Sequence, residues 1–161
     1  LELVRNIAFS LGENEFLIVK EHVSNHGYFN SSVYDEIKSL PGVKLIGPKH
    51  NIKDFIKLSQ GVIALTSTVG FEALLLDKPV LVFGDVFYNK HPLCRKINSI
   101  FEIKKAFSEL NERVILGNYN NQLFLLAYKS FTVSGRVIYG EDCLNICNSS
   151  LEYLSNLNNG N

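Results

Sequence analysis

The chain has 161 residues, 46% apolar and 20% charged, enough length and apolar content to build its own core. Sixteen basic residues balance sixteen acidic ones, which argues against a strongly basic nucleic-acid module and against a highly charged disordered chain. No apolar run reaches the ~20 residues that span a bilayer, and no secretory signal stands at the start.

Taken in order, Leu3, Ile7, Ala8 and Leu11 have the spacing of a first helix. Phe16–Val19 reads as a strand. Ser32 is placed to cap a helix running to Leu40, where Pro41 stops it. The Pro41-Gly42 turn leads into a second strand, Val43–Ile46. Asn51 caps a helix through Leu58, with Asp54 in its first turn. Val62–Leu65 is a third strand, and Phe71–Leu76 a short apolar helix. Val80–Phe83 is a fourth strand, bounded by Pro79 and Gly84. Ser99 and Glu102 form a capping box that opens a helix to about Leu110. Gln122–Ser130 and Asp142–Leu157 read as closing helices, and residues 156–161 as a fraying tail.

Continuous apolar strands alternating with helices predict an α/β fold: a doubly wound, mostly parallel sheet in a single domain, 1–161. The Gly-x-Gly-x-x-Gly fingerprint and the Gly-Lys-Ser/Thr P-loop are both absent. Cys94 stands far from Cys143 and Cys147, and that last pair has no nearby histidines. Buried free thiols are expected rather than a metal site. The chain starts at Leu1 and contains no methionine, so it is expected to be a piece of a longer protein.

In open α/β sheets, ligands bind beyond the carboxyl ends of the strands. Three such ends are polar here. Thr66-Ser67-Thr68-Val69-Gly70-Phe71-Glu72 follows the third strand and leads into a helix. Helix-start amides and the Ser67 and Thr68 hydroxyls suit a phosphate, Gly70 permits close approach, and Glu72 would accept sugar hydroxyls. Ordinary N-capping by Ser or Thr explains the same residues, and both readings stand at this point. Lys20-Glu21-His22 ends the first strand, offering a cation and an imidazole to an anion, or simply a solvated strand end. Gly84 to Pro92 follows the fourth strand; its aromatics, amide and histidine suit sugar or base contacts, or cover the sheet edge. Three polar strand ends together imply a shared anion-binding cleft, with no self-contained catalytic set visible.

The succession Val43-Lys44-Leu45-Ile46, Ile56 to Gly61, Thr66-Ser67-Thr68-Val69-Gly70-Phe71-Glu72-Ala73-Leu74, Lys78-Pro79-Val80-Leu81-Val82-Phe83-Gly84 and Phe87-Tyr88 resembles the bacterial capsule polysaccharide biosynthesis proteins. That family includes Kdo transferases, and residues 15–92 carry the resemblance. It implies a GT-B glycosyltransferase, with two Rossmann-like domains facing each other across a cleft. This chain would be the C-terminal, donor-binding domain. The catalytic residues stay unassigned, because the family's acidic general base lies in the N-terminal domain.

The resemblance further implies that His22, with Lys20, stands near the donor phosphate. Here the motif reads Lys20-Glu21-His22-Val23, where the family commonly has proline after the histidine. Ser67, Thr68 and Gly70 are implied at the phosphate, and Glu72 with Tyr88 at the ribose or sugar. The implied donor is a nucleotide-sugar of the CMP-Kdo kind, a substrate rather than a cofactor, with no metal, no cofactor and no nucleic acid. A glycan or glycolipid acceptor would meet the N-terminal domain. The implied location is cytoplasmic, peripheral at the inner face of the cytoplasmic membrane. Two rival readings are half of an enzyme similar to UDP-N-acetylglucosamine 2-epimerase and a non-catalytic binding or assembly module.

Overall fold

The computed structural model describes residues 1–22, 27–117, 119–130 and 132, and divides the chain into two units, Leu1–Tyr119 and Asn120–Asn161. The expected helix at 142–157, the tail at 156–161, Val23, His26, Cys143 and Cys147 lie outside the described residues.

In the first unit, α1 (Glu2–Ser10) turns Ile7 and Ala8 inward and ends where Leu11 becomes extended. Strand β1 (Leu17–Lys20) pairs in parallel with β2 (Val43–Ile46), in the register Leu17↔Val43 to Lys20↔Ile46. Helix α2 (Ser31–Ser39) makes the crossover and buries Ile37. Its N-cap is Asn30, without a side-chain bond, rather than Ser32. Helix α3 (Ile52–Leu58) is capped as its sequence dictates, with Asn51 Oδ1 accepting the Lys53 N–H at 3.1 Å. The second ladder is β3 (Val62–Ala64), β4 (Val80–Val82) and β5 (Cys94–Lys96), all parallel, with β4 in the middle. Helix α4 (Val69–Leu74) joins β3 to β4. A 3-10 turn (Ile100–Glu102), capped by Ser99, leads into α5 (Ile103–Leu116). That helix runs past Leu110 to Gly117, a left-handed C-cap with φ 62°.

The architecture is therefore α/β with parallel strands and crossover helices, consistent with a doubly wound Rossmann-like fold. Burial separates the two ladders. All three β4 residues are fully buried, as a central strand covered on both faces requires. In β1 and β2 no residue is fully buried, Ile18 and Lys44 being exposed, and Lys44 reaches over the Phe16 ring at 5.4 Å. Strand β5 is the element the apolar pattern did not show. Its Cys-Arg-Lys sequence has no apolar run, and it forms because pairing to β4 satisfies its backbone.

One core joins the ladders. Ile7, Leu81, Ile97, Ile103, Ala106 and Leu110 form it, with Leu17, Ile63 and Phe83 packed against it. Each fully buried Leu or Ile contributes roughly 1.5–3 kcal/mol of burial free energy. Gly61 marks where β3 passes under α5: a Cβ there would sit 2.9 Å from the Pro79 carbonyl oxygen and against the Phe107 ring.

In the second unit, α6 (Asn121–Ser130) is capped by Asn120, whose Oδ1 accepts the Leu123 N–H at 2.8 Å. Phe124 and Tyr128 stack one turn apart with ring centres 6.5 Å apart. Among the described residues, no helix is long and apolar enough to cross a membrane.

Candidate functional site

All strands within each ladder are parallel, so their carboxyl ends share one edge of that ladder. The best-defined of these ends is the turn from β3 into α4. Thr66, Ser67 and Thr68 are exposed there. Ser67 Oγ accepts the Val69 N–H at 3.2 Å. The Ser67 carbonyl oxygen accepts two donors: the Gly70 N–H at 3.3 Å and the Tyr88 hydroxyl at 2.5 Å. Thr68 takes the N-cap position but makes no side-chain cap bond. Glu72, half-buried in the first turn of α4, donates its own N–H to the Thr68 carbonyl at 3.2 Å.

This geometry changes the expected chemistry of the turn. Helix α4 has only six residues, so few peptide dipoles add up at its start. The Val69 and Gly70 amides are already bonded within the turn. What the turn offers outward is hydroxyls, from Thr66, Ser67 and Thr68, rather than a row of free amides.

The structure also reassigns Gly70 and Tyr88. Gly70 is buried, and a Cβ there would stand 2.8 Å from Tyr88 Cζ and closer still to the phenol oxygen. The tyrosine beneath it thus requires the glycine. Tyr88 is only 1% exposed, so it lies under the turn and presents no surface to a sugar. Burial pushes its phenol up to about 12, with the buried Cys94 adding to the shift. Phe71 stacks on it with ring centres 6.2 Å apart, and Phe87 meets it edge-on at 5.0 Å.

At the end of β1, Lys20 is half-buried, and its Nζ donates to the Pro48 carbonyl at 3.2 Å and the Glu21 carbonyl at 3.4 Å. Those bonds tie β1 to the segment after β2. Glu21 accepts the Tyr34 hydroxyl at 2.5 Å, and that bond holds the Tyr34 phenol above its ordinary range. His22 is exposed just beyond. The bonds of Lys20 run toward β2, whereas Ser67, Gly70 and Tyr88 form one connected unit at β3 and β4.

The loop after β4 buries Tyr88, His91 and Leu93 and leaves Asp85, Phe87 and Lys90 exposed. His91 is 2% exposed, and its Nδ1 accepts the Leu93 N–H at 3.1 Å, which shapes the bend into β5. Gly84 packs against Thr66, where a Cβ would meet the threonine methyl at 2.5 Å. Phe87 remains half-exposed. One ion pair at the strand ends escaped the sequence reading, that of Asp85, in the Gly84–Pro92 loop already singled out, with Lys96, ending β5, at 2.6 Å. Recognising Cys94–Lys96 as a strand would have found it, because that strand brings Lys96 to the same edge as Asp85.

The candidate residues named from sequence all lie between positions 20 and 92. The family model described as capsule polysaccharide biosynthesis protein matches residues 7–130. Protein FixF of Sinorhizobium fredii is 30% identical over 158 residues, covering 90% of this chain and 37% of FixF. The chain therefore spans 37% of the length of that curated relative. No solved structure matches it. A family model that takes in β1 through α6, including the Ser67–Gly70 turn and the Tyr88 beneath it, places this chain in the capsule polysaccharide biosynthesis protein family.

Proposed function

We propose that this chain is the donor-binding part of a glycosyltransferase that builds capsule or another surface polysaccharide, and that its donor is a nucleotide-sugar of the CMP-Kdo kind. The carrying observation is the anchored Ser67–Gly70 turn at the carboxyl end of β3, within a chain of the capsule polysaccharide biosynthesis family. Parallel α/β folds bind ligands at that edge. Exposed hydroxyls there would donate to the donor phosphate and stabilise the charge that grows on it as the glycosidic bond breaks. At the end of β1, Lys20 would add positive charge to the same anion and the His22 imidazole a hydrogen-bond donor. Glu72 would accept ribose or sugar hydroxyls.

The reaction needs a second substrate and a base. A glycan or glycolipid acceptor and a carboxylate that takes its proton would come from a domain outside this chain, which would hold both reactants in line. The whole protein would work at the inner face of the cytoplasmic membrane, where lipid-linked acceptors are presented. The donor is a substrate, so this reading requires no cofactor.

Calorimetry with CMP, CMP-Kdo and UDP-sugars tests the reading. CMP compounds should bind the folded chain, and Ser67→Ala or Thr68→Ala should weaken them by about tenfold, the worth of one charge-assisted hydrogen bond. A folded sample that binds none of them at millimolar concentration would overturn it.

A further inference from the structure

We propose that Tyr88 is the positioning residue of this turn: its buried hydroxyl fixes which way the Ser67–Thr68 peptide faces, and so keeps a carbonyl oxygen away from an incoming phosphate. The inference rests on reading the turn as phosphate-binding.

The hydroxyl of Tyr88 and the amide of Gly70 both draw the Ser67 carbonyl toward the interior. In a planar trans peptide the following N–H points the opposite way. The Thr68 N–H is therefore directed away from Tyr88, on the side of the exposed hydroxyls. Rotating that peptide would exchange a donor for a carbonyl oxygen at the same place, which would repel an anion.

Tyr88 is suited to hold the plane because it is itself held. Its ring packs against Phe71 and Phe87, and its backbone carbonyl accepts the His91 N–H at 3.0 Å. Gly70 leaves the space that the hydroxyl fills. Ser67, Gly70 and Tyr88 thus form one device, assembled from β3, α4 and the loop after β4.

The test compares the 161-residue chain with Tyr88→Phe, which keeps the ring and removes only the hydroxyl. CMP and cytidine are titrated by calorimetry, and amide exchange at Gly70 is followed by NMR without ligand. The expected result is CMP affinity about fivefold weaker, cytidine affinity unchanged, and faster Gly70 exchange. Equal CMP affinity in the two proteins would overturn the inference. So would equal losses for CMP and cytidine, which would mean general loosening rather than positioning of the phosphate. If the unmodified chain binds none of CMP, CMP-Kdo and the UDP-sugars, the donor-binding reading falls. The Gly70 exchange rate still decides the anchor in that case: faster exchange in Tyr88→Phe supports it, and an unchanged rate overturns it.

Discussion

Replacing Gly70 by alanine sets two effects against each other. Gly70 lies inside α4 and its φ is not positive, so helix propensity alone predicts stabilisation by about 1 kcal/mol. Against this, the new methyl would stand 2.8 Å from Tyr88 Cζ and 3.0 Å from Cε2, and closer still to the hydroxyl. Tyr88 cannot retreat freely, because it is buried between Phe71 and Phe87 and bonded to Ser67. Overpacking of this kind costs about 1–3 kcal/mol. A tyrosine pushed aside also forfeits its hydrogen bond, a further ~1 kcal/mol. The net expectation is destabilisation by about 1–3 kcal/mol, or a melting temperature lower by roughly 3–10 °C for a chain of this size. Urea unfolding of Gly70→Ala, alone and with Tyr88→Phe, measures it. In the double variant the contact with the hydroxyl vanishes while the ring carbons remain, so the cost should shrink without disappearing. A midpoint that is unchanged or raised in Gly70→Ala would refute the reasoning.

Burial pushes the Cys94 thiol from 9.0 to about 12, and the Tyr88 phenol from 10.0 to about 12. Between those values the folded chain holds protons that the unfolded chain has released, so stability should fall as pH rises from 9 toward 12; urea midpoints across that range check it, and a rising midpoint would contradict it. For the same reason Cys94 should alkylate far more slowly in the native chain than in urea at pH 8, read by mass spectrometry of its own peptide. Asp77 closes α4 in the left-handed region at φ 56°, and the Lys78 N–H returns to the Ala73 carbonyl at 3.0 Å. Asp77→Ala and Asp77→Gly both remove the carboxylate that Tyr119 reaches, but only alanine keeps a Cβ there. Alanine should therefore be the less stable of the two by about 1 kcal/mol in urea titration. Asn51→Ala removes the cap of α3 and should cost about 1 kcal/mol in the same assay.

The sequence showed most of the elements because their signals are local. Val43–Ile46 came out at its observed bounds, and Asn51 as the cap of α3, since apolar runs and capping side chains act within a few residues. It missed β5, whose formation depends on a partner 14 residues away in the chain, Val80 opposite Cys94. At the site, the Ser67-Thr68-Val69-Gly70 motif was legible as a polar turn at a strand end. Its internal wiring was not. Tyr88 looked like a sugar-contacting aromatic because aromatics after a strand suit ligands, and one-dimensional spacing carries no information about which side of the turn a ring occupies. The fold brings a residue 21 positions away beneath Ser67 and buries it. His91 went the same way, from a candidate contact to an interior acceptor for Leu93.

By itself, then, the sequence determined that this is a neutral α/β chain with parallel strands and a hydroxyl-rich turn after its third strand, because periodicity and composition fix local structure and fold class. Only the tertiary structure decided what each polar or aromatic residue of that turn faces. Burial and hydrogen bonding across elements made Tyr88 a support, Gly70 the space for it, and the Ser67 and Thr68 hydroxyls the outward chemistry.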